Sequence, residues 1–596
     1  MTDERIIDRK LSRRQFVGTA AAGAAVLGAV AGASTLLPKV GAAPSSEAPK
    51  EGTAKGAPNA LTAAARKMLP TVIPSSWDYT ADVVVVGMGF AGQAAAITAS
   101  DLGANVILLE KGSESTGPST GTAGGNSRVC GQGVWVPGTD VYGNVNSSNL
   151  FNELIYFEAM EDGQGFPTDD DLIQAYVTNC ANNKTWLEGL GAKVVLYGTT
   201  SNPFPQAFYP ELPGASSVML PYGGSWTVQG TQPYGNNWYF LLGQIQKRPI
   251  NVMYSTPAVG LVQNPSTGEI LGVRANPAGG STINVAANKA VVLACGGYEY
   301  NPVMHRDYID IPGVAHAGSP LNTGDGIHMA QAVGADLWHM NVYAAPTFYA
   351  MQRPQYDASI MTATPSKGGW IYVGADSMRY SNEAQAPGPN TYPSPANPSE
   401  PAGTYIVAGQ YLCHGVYTKP LYPVPIHMIF DSVGFGSGAL FMGAWASDVE
   451  GYKPDPTNKT ELGLGWIYTA STLSGLATII GKDPTVLPNE VSSWNKMAAA
   501  GADTEYGRTT GLATISTPPY YAIQISPGLL NTQGGPRRNA NGEVLDTNGN
   551  AIPRLYSAGE MGEVISKLYQ CMRNVSMCYG MGRIAATNAV NLTSWQ

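Results

Sequence analysis

An α/β fold is predicted by three stretches of the chain. The first is Ala81-Asp-Val-Val-Val-Val86, followed by Gly87-Met-Gly89-Phe-Ala91-Gly92 and an Ala-rich helix. The second is Asn105-Val-Ile-Leu-Leu-Glu110-Lys111, a short strand that ends in an acid. The third is Ala290-Val-Val-Leu-Ala-Cys-Gly296-Gly297, a late apolar strand that closes on a glycine pair. Four consecutive valines suit a strand buried on both faces. Strand, glycine turn, helix and strand, in that order, make a Rossmann-like unit for binding a dinucleotide.

Each glycine of the turn has a separate task. Gly87 permits the tight bend, Gly89 lets a pyrophosphate approach the backbone, and Gly92 allows the helix to pack close to the strand, with Ala91 inside the same turn. Glu110, eighteen residues after Gly92, stands where an acid binds the adenosine ribose hydroxyls, with Lys111 beside it. A second glycine-rich segment follows, Gly124-Gly125-Asn126-Ser127-Arg128 with Gly131-Gln-Gly133-Val-Trp135. Such a loop suits a flavin that lies along the chain and stays bound, and it favours FAD over NAD.

Composition narrows the function classes. The 596 residues include 34 basic and 43 acidic side chains, a formal charge of −9, and only 13% are charged. With 44% hydrophobic residues the core is large, which excludes wholesale disorder. An acidic balance without a basic block past the N-terminus argues against nucleic acid or an anionic membrane surface as partner. None of the six cysteines forms Cys-x-x-Cys, which argues against c-type haem and most iron–sulfur or zinc frameworks. His305, His316, His328, His339, His414 and His427 share no metal-ligand spacing, so no metal is expected.

The N-terminus reads as an address. Ser12-Arg13-Arg14-Gln15-Phe16-Val17 precedes an Ala/Gly-rich apolar run to about Leu37, then Val40-Gly41-Ala42. Residues 1–45 are therefore expected to be a twin-arginine signal peptide, and 46–77 a linker. The expected location is periplasmic, cell-surface or extracellular, with membrane contact only through an uncleaved signal.

The chain resembles the flavoproteins of the fumarate reductase, flavocytochrome c and 3-ketosteroid dehydrogenase superfamily. The matching pieces are Gly125-Asn-Ser-Arg, Leu293-Ala-Cys-Gly-Gly-Tyr-Glu, Asn322-Thr-Gly-Asp325-Gly-Ile, Arg379-Tyr-Ser-Asn-Glu383, Pro519-Tyr-Tyr-Ala522, Thr532-Gln-Gly-Gly535, Leu555-Tyr-Ser-Ala-Gly-Glu560 and Gly582-Arg-Ile-Ala585, in family order. The resemblance implies non-covalent FAD, with Asp325 and Glu560 near the ribityl chain, Val259 among the cofactor contacts, and Val575, Ser576 and Met577 at a helix end under the isoalloxazine. A helix N-terminus there favours the anionic reduced flavin. It also implies a Rossmann-like FAD-binding domain at 78–340 and 516–596, interrupted by an α+β capping domain at 341–515. The spacing near Leu473–Ile480 and Glu490–Ala500 predicts core helices, and Asn541-Gly542 and Asn548-Gly549 predict two tight turns.

The active site implied by the family lacks its charges here. Fumarate reductases place a proton-donating Arg four residues after the Asn-Glu pair, and this chain has Pro387. The upstream Glu-x-x-Arg relay falls at Ala363 and Ser366, and the substrate His becomes Leu530-Asn531. Fourteen residues before Arg583, where the family's carboxylate-clamping Arg belongs, stands Tyr569. Steroid Δ4-dehydrogenases of the superfamily carry a Tyr at that spacing, bonded to the 3-ketone. A phenol suits that task because it donates one hydrogen bond while its ring packs on an apolar substrate. Arg573 is the rival, as a carboxylate anchor or a stabiliser of reduced flavin, and Tyr392 is the candidate proton donor. Cys571 and Cys578 share a helix spacing and read as core.

The resulting expectation is an exported FAD oxidoreductase that reduces a C=C bond conjugated to a carbonyl on an apolar or aromatic small molecule. With no haem or second nucleotide motif, electrons are expected from a separate cytochrome, flavoprotein or quinone. A 3-ketosteroid 1- or 4-dehydrogenase, a fumarate- or urocanate-type carboxylate reductase, and a non-catalytic flavoprotein remain as alternatives.

Overall fold

The computed structural model describes residues 73–115, 121–162, 169–199, 202–203, 212–218, 225–229, 236–309, 313–344, 348–350, 353, 359–385, 411–413, 416–418, 423–442, 452–565 and 572–596. The expected signal segment 1–45 and most of the linker 46–77 lie outside them.

The valine strand, Tyr79–Val86, sits inside an eight-stranded sheet. Along the main path the order is Glu543–Leu545, Ala551–Ser557, Ile283–Leu293, Tyr79–Val86, Val106–Leu109 and Ile250–Met253. Both neighbours of the valine strand run parallel to it, pairing Val83 with Val106 and Val86 with Leu293. Alternation along the strand explains the burial. Val83 and Val85 join the core formed with the helices Phe90–Asp101 and Arg573–Val590. Val84 and Val86 join the core on the opposite face, with Leu261, Val273, Ile327 and Met329. A strand covered on both faces has no solvent side, so a continuous apolar run is what the position requires.

The predicted turns at the far edge are present. Gly542 and Gly549 take φ of +78° and +81°, and Gly549 N–H donates to Asp546 O across the loop that joins Glu543–Leu545 to Ala551–Ser557. Glycine is favoured there because a Cβ strains the left-handed conformation.

A second, six-stranded sheet is centred on Tyr520–Leu529, which pairs with Ala315–His316, Phe348–Ala350, Ile426–Asp431 and Tyr468–Ala470, while Trp370–Val373 flanks Ile426–Asp431. The expected boundary at 515/516 thus falls before the central strand of this sheet. The chain then returns through Asn531–Thr532 and Gly535–Pro536, which pair with Tyr343–Ala344 and Leu337–Trp338. Helices Leu473–Ile479 and Val486–Ala500 cover one face. The second helix starts four residues ahead of the expected Glu490. Pro488 explains this, because proline is tolerated in a first turn whose N–H groups have no helical partner.

Beneath this sheet lies a buried ionic cluster. Arg379 donates to both oxygens of Glu383 at 2.7 and 2.8 Å and to Asp503 at 2.9 Å. Arg508 contributes at 3.4 Å to Glu383, and both guanidinium groups lie over the ring of Trp494. The Arg379-x-x-x-Glu383 spacing read as a family motif is therefore an (i, i+4) ion pair in the core of the second sheet. Removing one partner of such a pair leaves the other charge buried and alone. Arg379→Leu is expected to lower the unfolding free energy by about 3–5 kcal/mol, read from urea titration of the purified protein.

Candidate active site

The valine strand ends at Gly87, whose φ of +100° turns the chain toward the helix Phe90–Asp101. A Cβ at Gly87 would lie 2.3 Å from Ala294 O, and one at Gly92 only 1.8 Å from Gly87 O. No side chain fits either space, so the helix start and the strand end approach as closely as the backbone allows. At Gly89 a Cβ would meet Ser127 Oγ at 3.1 Å, and that hydroxyl accepts from Phe90 N at 2.9 Å. Trp238 braces the turn from outside, donating through Nε1 to Met88 O at 2.9 Å.

Around this turn opens a cleft of about 1480 Å³, counting the space at its mouth. Gly87, Gly89, Ala91, Glu110, Lys111 and Gly125 line it, as do Asn126, Ser127, Gly131, Asp325, Glu560 and Val575. Twelve residues named from the sequence thus come together from six separated segments. Gly92, Gly133, Val259 and Ser576 do not reach the wall. Gly92 packs under the turn, and Gly133 lies against the Met572 side chain. Val259 sits beside Pro257 and Ala258, which do line the cleft.

Ser576 differs from the expectation for a helix-register reason. Successive residues on a helix are about 100° apart, so with Asn574, Val575 and Cys578 facing the cleft, Ser576 turns inward. Its hydroxyl is bonded to Trp135 O and accepts from Asn183 Nδ2 at 2.9 Å. Met577 is likewise buried in the core. Arg573 also departs from its expected role. It is fully buried, its Nε stands 3.9 Å from Glu563 Oε1, and it does not line the cleft. Burial pushes the Glu563 carboxyl up to about 7, while Arg573 and Arg538 pull against that rise. Tyr569, Tyr392 and Cys571 lie outside the described residues.

The polar groups of the wall are arranged in two sets. Near the glycine turn, Glu110 accepts from Met88 N at 2.8 Å and Gly112 N at 2.5 Å. Burial raises its carboxyl, and these backbone donors oppose the rise. Lys111 Nζ donates to Asp325 Oδ2 at 2.8 Å, Thr323 Oγ1 at 2.7 Å and Leu321 O at 2.9 Å. Asp325 opens the helix Asp325–Ala332, where a carboxylate complements the helix dipole. Further along, Asn126 Nδ2 donates to Glu299 Oε1 at 2.6 Å and lies 3.4 Å from Glu560 Oε2. Glu299 and Asn322 were quoted in family motifs without a role, and their buried contacts assign them one in holding Asn126. Gln132, also unassigned from sequence, bonds Ser127 O at 2.7 Å and accepts from Asn237 N at 3.1 Å, fixing the second glycine loop.

His305 and His316 lie with ring centroids 4.9 Å apart and planes tilted by 44°, and burial lowers their pKa to about 4 and about 3. Among the described residues no group of three His, Cys, Asp or Glu side chains converges as a metal site. The cleft fits FAD on its own geometry: a cradle at Gly87 and Gly89 open to a phosphate backbone, a carboxylate closing the second strand, and a helix N-terminus at Asn574 and Val575.

Comparison with known proteins agrees with that fit. The family model described as FAD binding domain matches residues 82–571. The chain is 26% identical over 636 residues to a digoxin reductase from Eggerthella lenta, spanning 99% of both chains. It is 26% identical over 535 residues to a urocanate reductase from the same organism, covering 86% of this chain and 75% of that one. Among solved structures, a 3-ketosteroid Δ1-dehydrogenase from Sterolibacterium denitrificans in complex with 1,4-androstadiene-3,17-dione matches with a TM-score of 0.64 at 22% identity, covering 86% of this chain and 99% of that one. Cleft and family model together make the chain a member of the FAD binding domain family and an FAD-dependent oxidoreductase acting on CH–CH groups.

Proposed function

We propose that this flavoenzyme reduces a C=C bond conjugated to a carbonyl on a neutral, apolar or aromatic small molecule. The observation that carries the reading is the scarcity of positive charge at the cleft. Among its described lining residues Lys111 is the only cation, and Asp325 already holds it. Arg573 faces Glu563 in the core. A dicarboxylate is bound well by a forked guanidinium, whereas a ketone needs a single donor, for which Tyr569 is our candidate. The names of the digoxin and urocanate reductases support the reductive direction.

Non-covalent FAD supplies a hydride from flavin N5 to one carbon of the activated bond. The chain's own residues do the remaining work. Gly87, Gly89, Ala91 and Gly92 admit the pyrophosphate, Glu110 and Lys111 hold the adenosine side, and Gly125, Asn126, Ser127, Gly131, Asp325 and Glu560 line the path between. Tyr569 donates to the carbonyl and increases the polarity of the bond, and Tyr392 is the candidate donor of a proton to the second carbon. In this reading the first sheet is the Rossmann-like FAD-binding domain and the second belongs to an α+β capping domain. Residues 1–45 export the folded protein by the twin-arginine route to the periplasm or cell surface. Electrons then come from a separate cytochrome, flavoprotein or quinone. No helix among the described residues is long and apolar enough to cross a membrane.

A second reading runs the same chemistry oxidatively, as a 3-ketosteroid 1- or 4-dehydrogenase. The Tyr569 spacing and the steroid-dehydrogenase fold match favour it. One anaerobic experiment separates the two. Dithionite-reduced protein is expected to be reoxidised rapidly by a neutral enone or cinnamate ester and not by fumarate. Reoxidation by carboxylates alone would refute the neutral-substrate reading, and bleaching of oxidised protein by a saturated 3-ketosteroid would favour the second.

Tyr569→Phe is expected to lower kcat toward the enone by about 10²–10³, the cost of losing one donor to a developing oxyanion. Unchanged turnover would remove Tyr569 from the site. Acid precipitation of the yellow protein is expected to leave all flavin absorbance in the supernatant, and colour retained in the pellet would show a covalent link.

A further inference from the structure

Two carboxylates meet at the cleft wall through a single amide. Asn126 Nδ2 donates to Glu299 Oε1 at 2.6 Å and stands 3.4 Å from Glu560 Oε2. Asn322 Nδ2 donates to the same Glu299 oxygen at 2.6 Å, and Thr532 Oγ1 donates to the other at 3.3 Å. Glu299 is fully buried, while Glu560 is open only toward the cleft that it lines. Among the described residues neither carboxylate has a cation in contact.

The groups facing the pair from neighbouring elements do not supply one. Glu563 adds negative charge near Glu560, and Tyr298 and Cys578 are held protonated by burial and by these acids. The Arg538 guanidinium donates to Gly559 O and Met561 O, and Lys111 is held by Asp325. Burial pushes Glu299 up to about 7, and burial together with Glu299 and Glu563 raises Glu560 further. Like charges this close in a poorly solvated wall do not both ionise near neutral pH, so the two titrate as a unit.

We propose that Glu299 and Glu560 form a proton-storage site, holding one proton while the bound flavin is oxidised and a second while it is reduced. Two electrons from the separate reductant reach the flavin together with one proton. That leaves one added negative charge in the cleft, which raises the proton affinity of the pair, and the pair takes a second proton from solvent. When hydride leaves for the substrate, the added charge leaves with it and the pair releases its proton. One hydride and one proton are what a C=C bond consumes, so electrons and protons balance over the cycle. The inference needs the flavin but no particular substrate, so it stands apart from the enone assignment.

The test is the flavin midpoint potential of the holoprotein between pH 7 and 9. Each proton taken up with two electrons contributes about 30 mV per pH unit. Wild-type protein is expected to fall by about 60 mV per pH unit, and Glu299→Gln, which removes one acid and keeps an amide of similar shape, by about 30. Infrared difference spectra of the wild-type protein need no variant and should show a protonated-carboxyl band growing on reduction. Equal slopes in the two proteins, or a carboxyl band unchanged by reduction, would overturn the proposal.

Discussion

The contact between Gly87 O and the helix start at Gly92 is the constraint on which the rest of the site depends. A strand covered on both faces hands its chain to a helix across a gap too narrow for a methyl group. The glycine turn into the helix therefore lines the cleft, and Glu110, at the end of the adjacent parallel strand, accepts from Met88 N there. The other wall elements, from the second glycine loop to the C-terminal helix, arrange themselves around this corner.

Buried charge is treated in two ways. Under the second sheet, Glu383 and Asp503 are neutralised by Arg379 and Arg508 in bonded geometry, and Asp503 is pulled down to about 2, chiefly by its bonds to Arg379 and to backbone N–H groups against the opposing effect of burial. Beside the cleft, Glu299, Glu560 and Glu563 are held up by burial instead, because the amides and hydroxyls on the first two, and a guanidinium 3.9 Å from the third, only partly oppose it. The first arrangement keeps Asp503 ionised and paired until the pH falls to about 2. The second keeps acids near their titration range, beside a cofactor that changes charge in use.

Much of this was legible in the chain. The strand–turn–helix–strand unit was readable because each requirement is local: apolar runs for a covered strand, glycines where backbone meets backbone, an acid at the strand end. Helices near 473–480 and 490–500 and the two Asn-Gly turns were readable for the same reason, the second helix starting four residues earlier in the structure. The pairing of the strand after 516 was not, because its partners in the second sheet lie about 50 to 210 residues upstream. Ser576 and Arg573 turn away from the cleft because successive helix positions are about 100° apart, and one-residue register is invisible without the packing that sets it.

By itself the sequence determined the covered strand, the glycine corner and the acid that follows it, since each is a matter of residue type at short spacing. Only the tertiary structure decided which acids lack cations and which arginines are already engaged. Polar partners such as Glu299 with Asn126, or Arg379 with Asp503, are brought together from 173 and 124 residues apart. Nothing in local composition records such meetings, because they follow from how the sheets close.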